Sequence, residues 1–402
     1  MLNVITVAEA QRLIASTFGM LKMPAEIVPL ESAGGRALAA DTLALEFVPD
    51  FDRSTVDGYA LRSKDVFGCS ESIPALMTVI GSAEMGRHTS LRLAAGECVY
   101  VPTGAEIPAG ADCVIMLEDA EVLEDGLVAV YKASPPGANL IFRGDDVRPG
   151  DVVLRAGTRL SPAHIGALAA MGLTEVSVRR QPRAAVISTG DELVPAGERL
   201  PAGKIRDVNA PMLLQAVRDA GGRADFLGIV PDRIDEVRAA LSAALADYDL
   251  VLISGGTSVG EKDAVPQVLS KLGELLAHGL AVKPGKPTLF GRARGKPVFG
   301  LPGNPVAAYF MFHLLARPLI ASMLGAELND RRVSVPIARS VPSNHGREEY
   351  VPVTLRDGEA QPIPSKSGLI TTLARADGFI AIPRDKEGLR QGEFVEVTLL
   401  ER

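Results

Sequence analysis

Cysteine is scarce: Cys69, Cys98 and Cys113 are the three in 402 residues. An odd number with no CxxC or histidine-paired spacing leaves a disulfide framework without support and argues against zinc ligation, which fits a reducing cytosol. The amino terminus, Met1-Leu-Asn-Val-Ile-Thr-Val-Ala-Glu-Ala10, lacks the basic start and long apolar core of a secretory signal. No apolar run approaches a membrane span on inspection of the sequence, so a cytoplasmic protein is expected. Excess positive charge is also missing. With 42 Lys and Arg against 49 Asp and Glu, net charge −7 and pI near 5.5, nucleic-acid binding across the whole surface is disfavoured, although a local basic site remains open. Repeats and low-complexity tracts are absent. What is present is ordinary for folded protein, 47% hydrophobic and 23% charged residues. The length calls for two to four domains.

Thr6 to Phe18 reads as an amphipathic helix with Thr6 as N-cap. Glu31-Ser-Ala-Gly-Gly-Arg36-Ala-Leu-Ala-Ala40 reads as a turn followed by a small helix. Phe47 to Ala60 is then denser in Asp, Arg, Ser and Thr than a spacer requires. From Ile73 to about Asp145 short β-type runs broken by glycine predict a separate, inserted β-rich domain. Its predicted strands are 76–81, 97–102, 112–116 and 127–131. Val152 to Val178 returns to strand, a helix over about 162–171, and strand.

Beyond Arg183 strands and helices alternate: strand 184–188, helix 211–220, strand 224–230, a helix over 232–245 opened by Asp232, and strand 250–253. A helix near 264–272 follows, then strands near 280–283 and 287–290, strand 297–301 and a long helix to about Leu324. This alternation predicts a mostly parallel, doubly wound sheet covered on both faces. Ligands of such sheets sit at the carboxyl ends of the strands. Three predicted strands end in Thr189-Gly-Asp-Glu192, Ser254-Gly-Gly-Thr257 and Pro302-Gly-Asn-Pro305, which would converge on one edge. Glycines let backbone N–H groups approach an anion, and the hydroxyls of Thr257 and Ser258 add donors. Asp263 falls where the next helix starts, suited to holding Mg²⁺ beside a phosphate; a solvated turn is the plainer alternative. Lys283-Pro-Gly-Lys286-Pro287 is a cationic pair in a proline-stiffened turn, either solvent-facing or serving an oxyanion beside those strand ends. Residues 331–402 hold short strands that predict a small barrel or sandwich.

Seven ordered motifs together resemble the MoeA family of molybdopterin molybdenumtransferases, related to the E domain of gephyrin and the plant molybdenum insertase. They are Ser54-Thr-Val-Asp-Gly-Tyr-Ala60, Pro102-Thr-Gly-Ala105, Arg143-Gly-Asp-Asp146, Ser188-Thr-Gly-Asp-Glu-Leu193, Ser254-Gly-Gly-Thr-Ser-Val-Gly260, Lys283-Pro-Gly-Lys286 and Gly300-Leu-Pro-Gly-Asn-Pro305. The resemblance covers nearly the whole chain and implies a multidomain α/β protein. Its parts would be a discontinuous α+β linker domain (1–45 and 146–180), an inserted β-rich domain (46–145), an α/β molybdopterin-binding domain (181–328) and a C-terminal β-barrel domain (329–402). It also implies a homodimer whose active site joins the α/β domain of one subunit to the β-rich domain of the other. The implied reaction takes adenylylated molybdopterin and molybdate, cleaves the phosphoanhydride with Mg²⁺, releases AMP and leaves molybdenum on the dithiolene.

On this resemblance Asp263 and Glu192 are the expected metal ligands and, with Asp57 and Asp146, the catalytic acids. Thr103, Thr189, Gly190, Asp191, Ser254, Gly255, Gly256, Thr257, Ser258, Pro302, Gly303 and Asn304 would bind the nucleotide substrate. Lys283, Lys286, Arg347 and Ser367 would bind the oxyanion. The implied partners are a molybdopterin adenylyltransferase and molybdoenzyme apoproteins or their chaperones, with no nucleic acid and no membrane. Departures from the family pattern fall at Ile141 and Phe142, where many members carry arginines, at Gly279, where some carry lysine, and at Ala307, where many carry serine. Two alternatives stand beside this reading: a molybdopterin adenylyltransferase, usually a single small domain, and a dimeric scaffold that keeps the fold.

Overall fold

The first helix, Val7–Phe18, starts on a capping box: Thr6 Oγ1 accepts from Glu9 N at 3.2 Å, and Glu9 Oε2 accepts from Thr6 N at 2.8 Å. That exchange satisfies backbone donors the first helical turn leaves unpaired. Val7, Ala10, Ile14 and Phe18 form its buried stripe. The structure is a computed structural model that describes residues 4–257, 263–328, 330–363 and 368–400. Its contacts divide the chain into two compact units, residues 1–40, 156–161 and 175–402, and residues 41–155 and 162–174.

In the larger unit, Ala25–Pro29 pairs antiparallel with Glu175–Arg179. The small helix expected after Glu31 does not form. A 3₁₀ turn at Leu30–Ser32 is followed by Ala37 and Leu38 in β-bridges to Arg159 and Val178. Backbone pairing there overrides the helix propensity of an Ala-Leu-Ala run.

The central sheet orders its strands Arg223–Val230, Arg183–Thr189, Leu250–Ser254, Lys296–Leu301, Leu289–Ala293, Gly273–His278. The first four are parallel. Leu250–Ser254 lies between two parallel neighbours and is buried throughout. Leu250 and Leu252 enter one core with Leu213, Phe299 and Phe310, while Val251 and Ile253 enter the other with Leu241, Val265 and Val298. An unbroken apolar run is what a strand covered on both faces requires, and each such side chain contributes about 1.5–3 kcal/mol by burial.

Three boundaries differ from the sequence reading. The helix expected to open on Asp232 starts at Ile234 with no side-chain cap bond. The helix expected from Pro211 starts at Asn209. The far edge of the sheet is an antiparallel hairpin, Gly273–His278 with Leu289–Ala293, whereas Val282–Lys283 pairs with Glu348–Arg356 of the C-terminal sheet. In that sheet Arg332–Pro336, Phe394–Leu399, Gly378–Ile382, Glu348–Arg356 and Glu359–Pro362 follow one another, and a bridge from Ile337 to Ala360 closes the ring. A closed ring removes unpaired edges.

Pro305–Leu324 is one continuous helical rod and, by length and hydropathy, does reach membrane-span proportions. Two-thirds of its apolar window is buried within the fold, so its hydrophobicity is that of a core helix. One π-turn, Phe312–Ala316, interrupts it and carries His313. The His313 ring meets Phe379 edge-on with centroids 5.1 Å apart and lies near Tyr309. Burial pushes this imidazole from 6.5 down to about 4, helped by the Arg317 charge and opposed by Asp330. The folded protein thus holds it neutral where the unfolded chain takes a proton, so stability present above pH 6.5 is lost as pH falls toward 4. Urea unfolding is expected to lose up to about 1.4 kcal/mol per pH unit in that window. His313→Gln should flatten the slope; an unchanged slope would place the acid sensitivity elsewhere.

The second unit is built on a six-stranded sheet ordered Cys113–Met116, Gly58–Leu61, Glu97–Val101, Ala75–Ser82, Leu127–Val130, Ala120–Val122. Cys98 and Cys113 lie in its core, where burial pushes both thiols up to about 12 and keeps them unreactive at neutral pH.

Candidate functional site

The parallel strands Arg183–Thr189, Leu250–Ser254 and Lys296–Leu301 run in register, so their carboxyl ends open on the same edge of the sheet. A cavity of about 910 Å³ lies there. Thr189, Gly190, Asp191, Glu192, Ser254, Gly255, Gly256, Thr257, Asp263, Pro302, Gly303 and Asn304 all line it. The backbone turns approach closely: Gly255 N donates to Leu301 O at 3.0 Å, and a methyl on Gly255 would sit 2.2 Å from the Thr189 carbonyl oxygen. Ser258 lies outside the described residues, as does Ser367.

Three lining residues escaped the sequence reading. Asn209 Nδ2 donates to Ser254 Oγ at 2.7 Å and to Gly303 O at 2.8 Å, tying two of the strand-end turns together. Asp207 Oδ1 accepts from the backbone of Asn209 and Ala210, both at 3.1 Å. Asp232 accepts from the Thr189 hydroxyl at 3.5 Å. Its carboxyl is pushed up, first by burial and then by the charges of Asp263 and Asp191, against the hydrogen bond from the Ala264 backbone. Buried atoms without a partner among the described residues include Asp207 Oδ2, Asn209 Oδ1 and Asp263 Oδ2. Orphaned acceptors in a native cavity mark a place where a ligand or ion completes the bonding.

Asp263 is the residue before helix Ala264–Leu272, and its side chain makes no cap bond. Its carboxylate is therefore aimed elsewhere than at its own helix. Among the described residues no three metal-ligating side chains come together as a cage. Mg²⁺ does not demand one, because it is commonly held by one or two carboxylates together with phosphate oxygens and water. A buried acceptor on Asp263 beside a charge-strained Asp232 fits such a cation.

A second cavity, of about 770 Å³, shares Pro287, Pro302 and Asn304 with the first. Lys283, Lys286 and Arg347 line it, together with Arg339, Glu349 and Ala307. Lys283 Nζ is 2.8 Å from Glu349 Oε1, whereas Lys286 and Arg347 have no ion-pair partner among the described residues. Ala307 presents a methyl to this cavity where a serine would offer a hydroxyl. The two lysines expected to serve an oxyanion thus lie beside the strand-end cavity.

Asp57, Thr103 and Asp146 belong to the other compact unit. Thr103 donates to Asp57 Oδ1 from its backbone at 2.7 Å and its hydroxyl at 3.0 Å. These two bonds hold the Asp57 carboxyl below its ordinary range. Ser54 N donates to Ala105 O at 3.0 Å, Leu140 pairs with Ser54, and Asp146 N donates to Val48 O at 3.1 Å. The three motifs of this unit are therefore laced into one patch. Arg143 anchors it, bonded to Asp50 at 2.9 Å and stacked over Phe47 at 4.0 Å.

A doubly wound sheet with glycine-rich turns at its carboxyl edge, acids in the cavity and cations beside it defines an anion-binding protein of the doubly wound α/β class. Family comparisons are more specific. Residues 5–172 match the MoeA N-terminal region (domains I and II), 185–322 the model described as "Probable molybdopterin binding domain", and 334–400 the MoeA C-terminal region (domain IV). The molybdopterin molybdenumtransferase of Bacillus subtilis is 33% identical over 93% of this chain and 92% of its own. That of Haemophilus influenzae is 39% identical over 75% of this chain and 73% of its own. A crystal structure of the Pyrococcus horikoshii molybdopterin biosynthesis MoeA protein superposes with TM-score 0.88 at 34% identity, covering 99% of this chain and all of that one. The chain belongs to the MoeA family of molybdopterin molybdenumtransferases, enzymes of molybdenum cofactor biosynthesis.

Proposed function

We propose that the protein inserts molybdenum from molybdate into adenylylated molybdopterin, hydrolysing the phosphoanhydride and releasing AMP in a Mg²⁺-dependent reaction. The observation that carries this reading is the shared wall of the two cavities. A cationic pocket for an oxyanion adjoins a glycine-rich, acid-lined pocket for a phosphoanhydride, with Pro287, Pro302 and Asn304 common to both.

In this reading the N–H groups of the Gly255-Gly256 turn approach the phosphates, which glycine permits because no side chain intervenes. Lys283, Lys286 and Arg347 offset the double negative charge of molybdate, so that two anions can be held side by side. Asn209 fixes the separation of the Ser254 and Gly303 turns and so orients the substrate between them. Asp263, with Asp232 and Glu192 on the same cavity, would hold Mg²⁺, which when bound polarises the phosphates and offsets their charge. The two dithiolene sulfurs displace one oxygen of molybdate, which leaves as water with their protons. Water cleaves the P–O–P bond, so that adenylylated molybdopterin and molybdate become AMP and molybdenum-bound molybdopterin with no change of oxidation state.

Asp57, Thr103 and Asp146 enter this reading from a second copy of the chain, as the family resemblance implies. Mixing inactive Asp57→Ala and Asp263→Ala proteins should restore activity through hybrid dimers, which a monomeric enzyme could not do. An adenylyltransferase supplying the nucleotide and an acceptor for the finished cofactor are the partners this chemistry requires.

The deciding experiment measures AMP release from adenylylated molybdopterin and Mg²⁺, with and without molybdate. Release should rise with molybdate. Lys286→Ala is expected to raise KM for molybdate by roughly tenfold and leave kcat within about threefold, the pattern of lost ground-state binding. Nucleotide bound without AMP release, with molybdate or tungstate, would sink the proposal and leave a scaffold or storage role.

A further inference from the structure

The cationic cavity contains an acid. Glu349 lines it among Lys283, Lys286, Arg339 and Arg347, and in a site built for an anion a carboxylate works against binding unless it has another task. Its placement is firm. Val282–Lys283 pairs in parallel with Glu348–Arg356, with Lys283 opposite Glu349, so the sheet itself sets the two side chains together. Glu349 is only 13% exposed while Lys283 is 49% exposed. Both carboxylate oxygens are engaged, Oε1 by Lys283 Nζ at 2.8 Å and Oε2 by Ser343 Oγ at 2.7 Å. The acid is the fixed partner, and the long lysine stem is the movable one.

We propose that Glu349 is an internal anion that holds Lys283 when the cavity is empty and opposes the incoming oxyanion, setting its affinity and easing its departure. This rests on the reading of Lys283, Lys286 and Arg347 as the oxyanion site. A largely shielded carboxylate left without a counter-ion is unfavourable, so Lys283 stays near Glu349 through one of its three N–H donors and offers the oxyanion the other two. Four cations facing one cavity would repel one another in the empty protein; Glu349 relieves that repulsion. The same negative charge lowers the attraction felt by a dianion. As the oxyanion leaves, the ammonium keeps a partner already in place.

The chemistry predicts a gain of function that damage to the fold cannot imitate. Glu349→Gln keeps the shape, leaves an amide oxygen to accept from Lys283 and an amide N–H to donate to the Ser343 hydroxyl, and removes the charge. Titration of the full-length protein with sodium molybdate, and separately with sodium sulfate, should show roughly tenfold tighter binding of both dianions by Glu349→Gln at low salt. The gain should shrink at 1 M NaCl, because a charge effect is screened. Glu349→Asp retains the charge and should stay within about threefold of the native protein under the same screening rule. Equal or weaker binding by Glu349→Gln, or a gain that high salt leaves intact, would overturn the inference. Lys286→Ala and Arg347→Ala test the underlying reading separately. If neither weakens molybdate binding, the oxyanion site itself is misplaced, whatever Glu349→Gln does.

Discussion

Asp263→Ala is expected to lower AMP release by roughly 10²–10³-fold, the range for losing a group that stabilises charge in a water-poor site, without lowering the melting temperature. Both halves follow from where the carboxylate stands. Asp263 makes no cap bond to the helix it precedes, so the helix loses nothing when the side chain goes. Its Oδ2 is buried with no partner among the described residues, and its charge pushes against Asp232. An arrangement of this kind costs stability in the empty protein and is retained for a ligand. Asp263→Asn should reproduce the loss, since it preserves volume and removes only charge. The measurement is single-turnover AMP release alongside thermal unfolding of the same preparations. Activity within tenfold of native would remove Asp263 from the cation site. A fall in melting temperature of several degrees would make its role structural.

The parts of this fold legible in the sequence are those whose pattern is local. Leu250 to Ile253 reads as a buried strand because both its faces are covered, and the glycines after it announce a turn whose backbone must approach something closely. Three such strand ends could be placed on one edge because parallel strands share a direction. The N-cap at Thr6 is equally local. The residues that escaped are those whose roles are set by distant partners. Asn209 matters because it reaches Ser254 and Gly303, 45 and 94 positions away, and nothing in Asp207-Val-Asn209 signals either contact. Asp232 looks like a helix cap, an acid just before an amphipathic stretch, yet the helix starts two residues later and the carboxylate turns to Thr189 instead. Gly273 to His278 carries no assignment between the helix expected near 264–272 and the strand expected near 280–283. It is a strand because Leu289–Ala293 is there to pair with it. Glu349 is invisible for the same reason: within Glu348-Glu-Tyr350 it is one acid of two, and only the register opposite Lys283 singles it out.

Gly255→Ala should be strongly damaging, costing about 3 kcal/mol as the sum of a left-handed backbone and an overpacked contact. Gly255 has φ +95°, and the added methyl would lie 2.2 Å from the Thr189 carbonyl oxygen, a backbone atom. Neither chain can yield cheaply. Leu250–Ser254 is held on one side by Arg183–Thr189 and on the other by Lys296–Leu301, and Gly255 N is itself bonded to Leu301 O. Relief therefore comes only by spreading the strand ends, which are the walls of the cavity. AMP release should fall by about a hundredfold, since misplacing positioning groups by an ångström costs rate on that scale, and substrate binding should weaken with it. Gly295→Ala is the matched control. Its φ is +76° but nothing lies within 4 Å of the added methyl, so it should cost about 1–2 kcal/mol and leave binding intact. The comparison isolates the contact from the backbone conformation. If Gly255→Ala unfolds no more easily than Gly295→Ala, the turn has slack that the 2.2 Å approach does not allow. If it unfolds more easily and binds less, the closeness of the two backbones is what shapes the cavity.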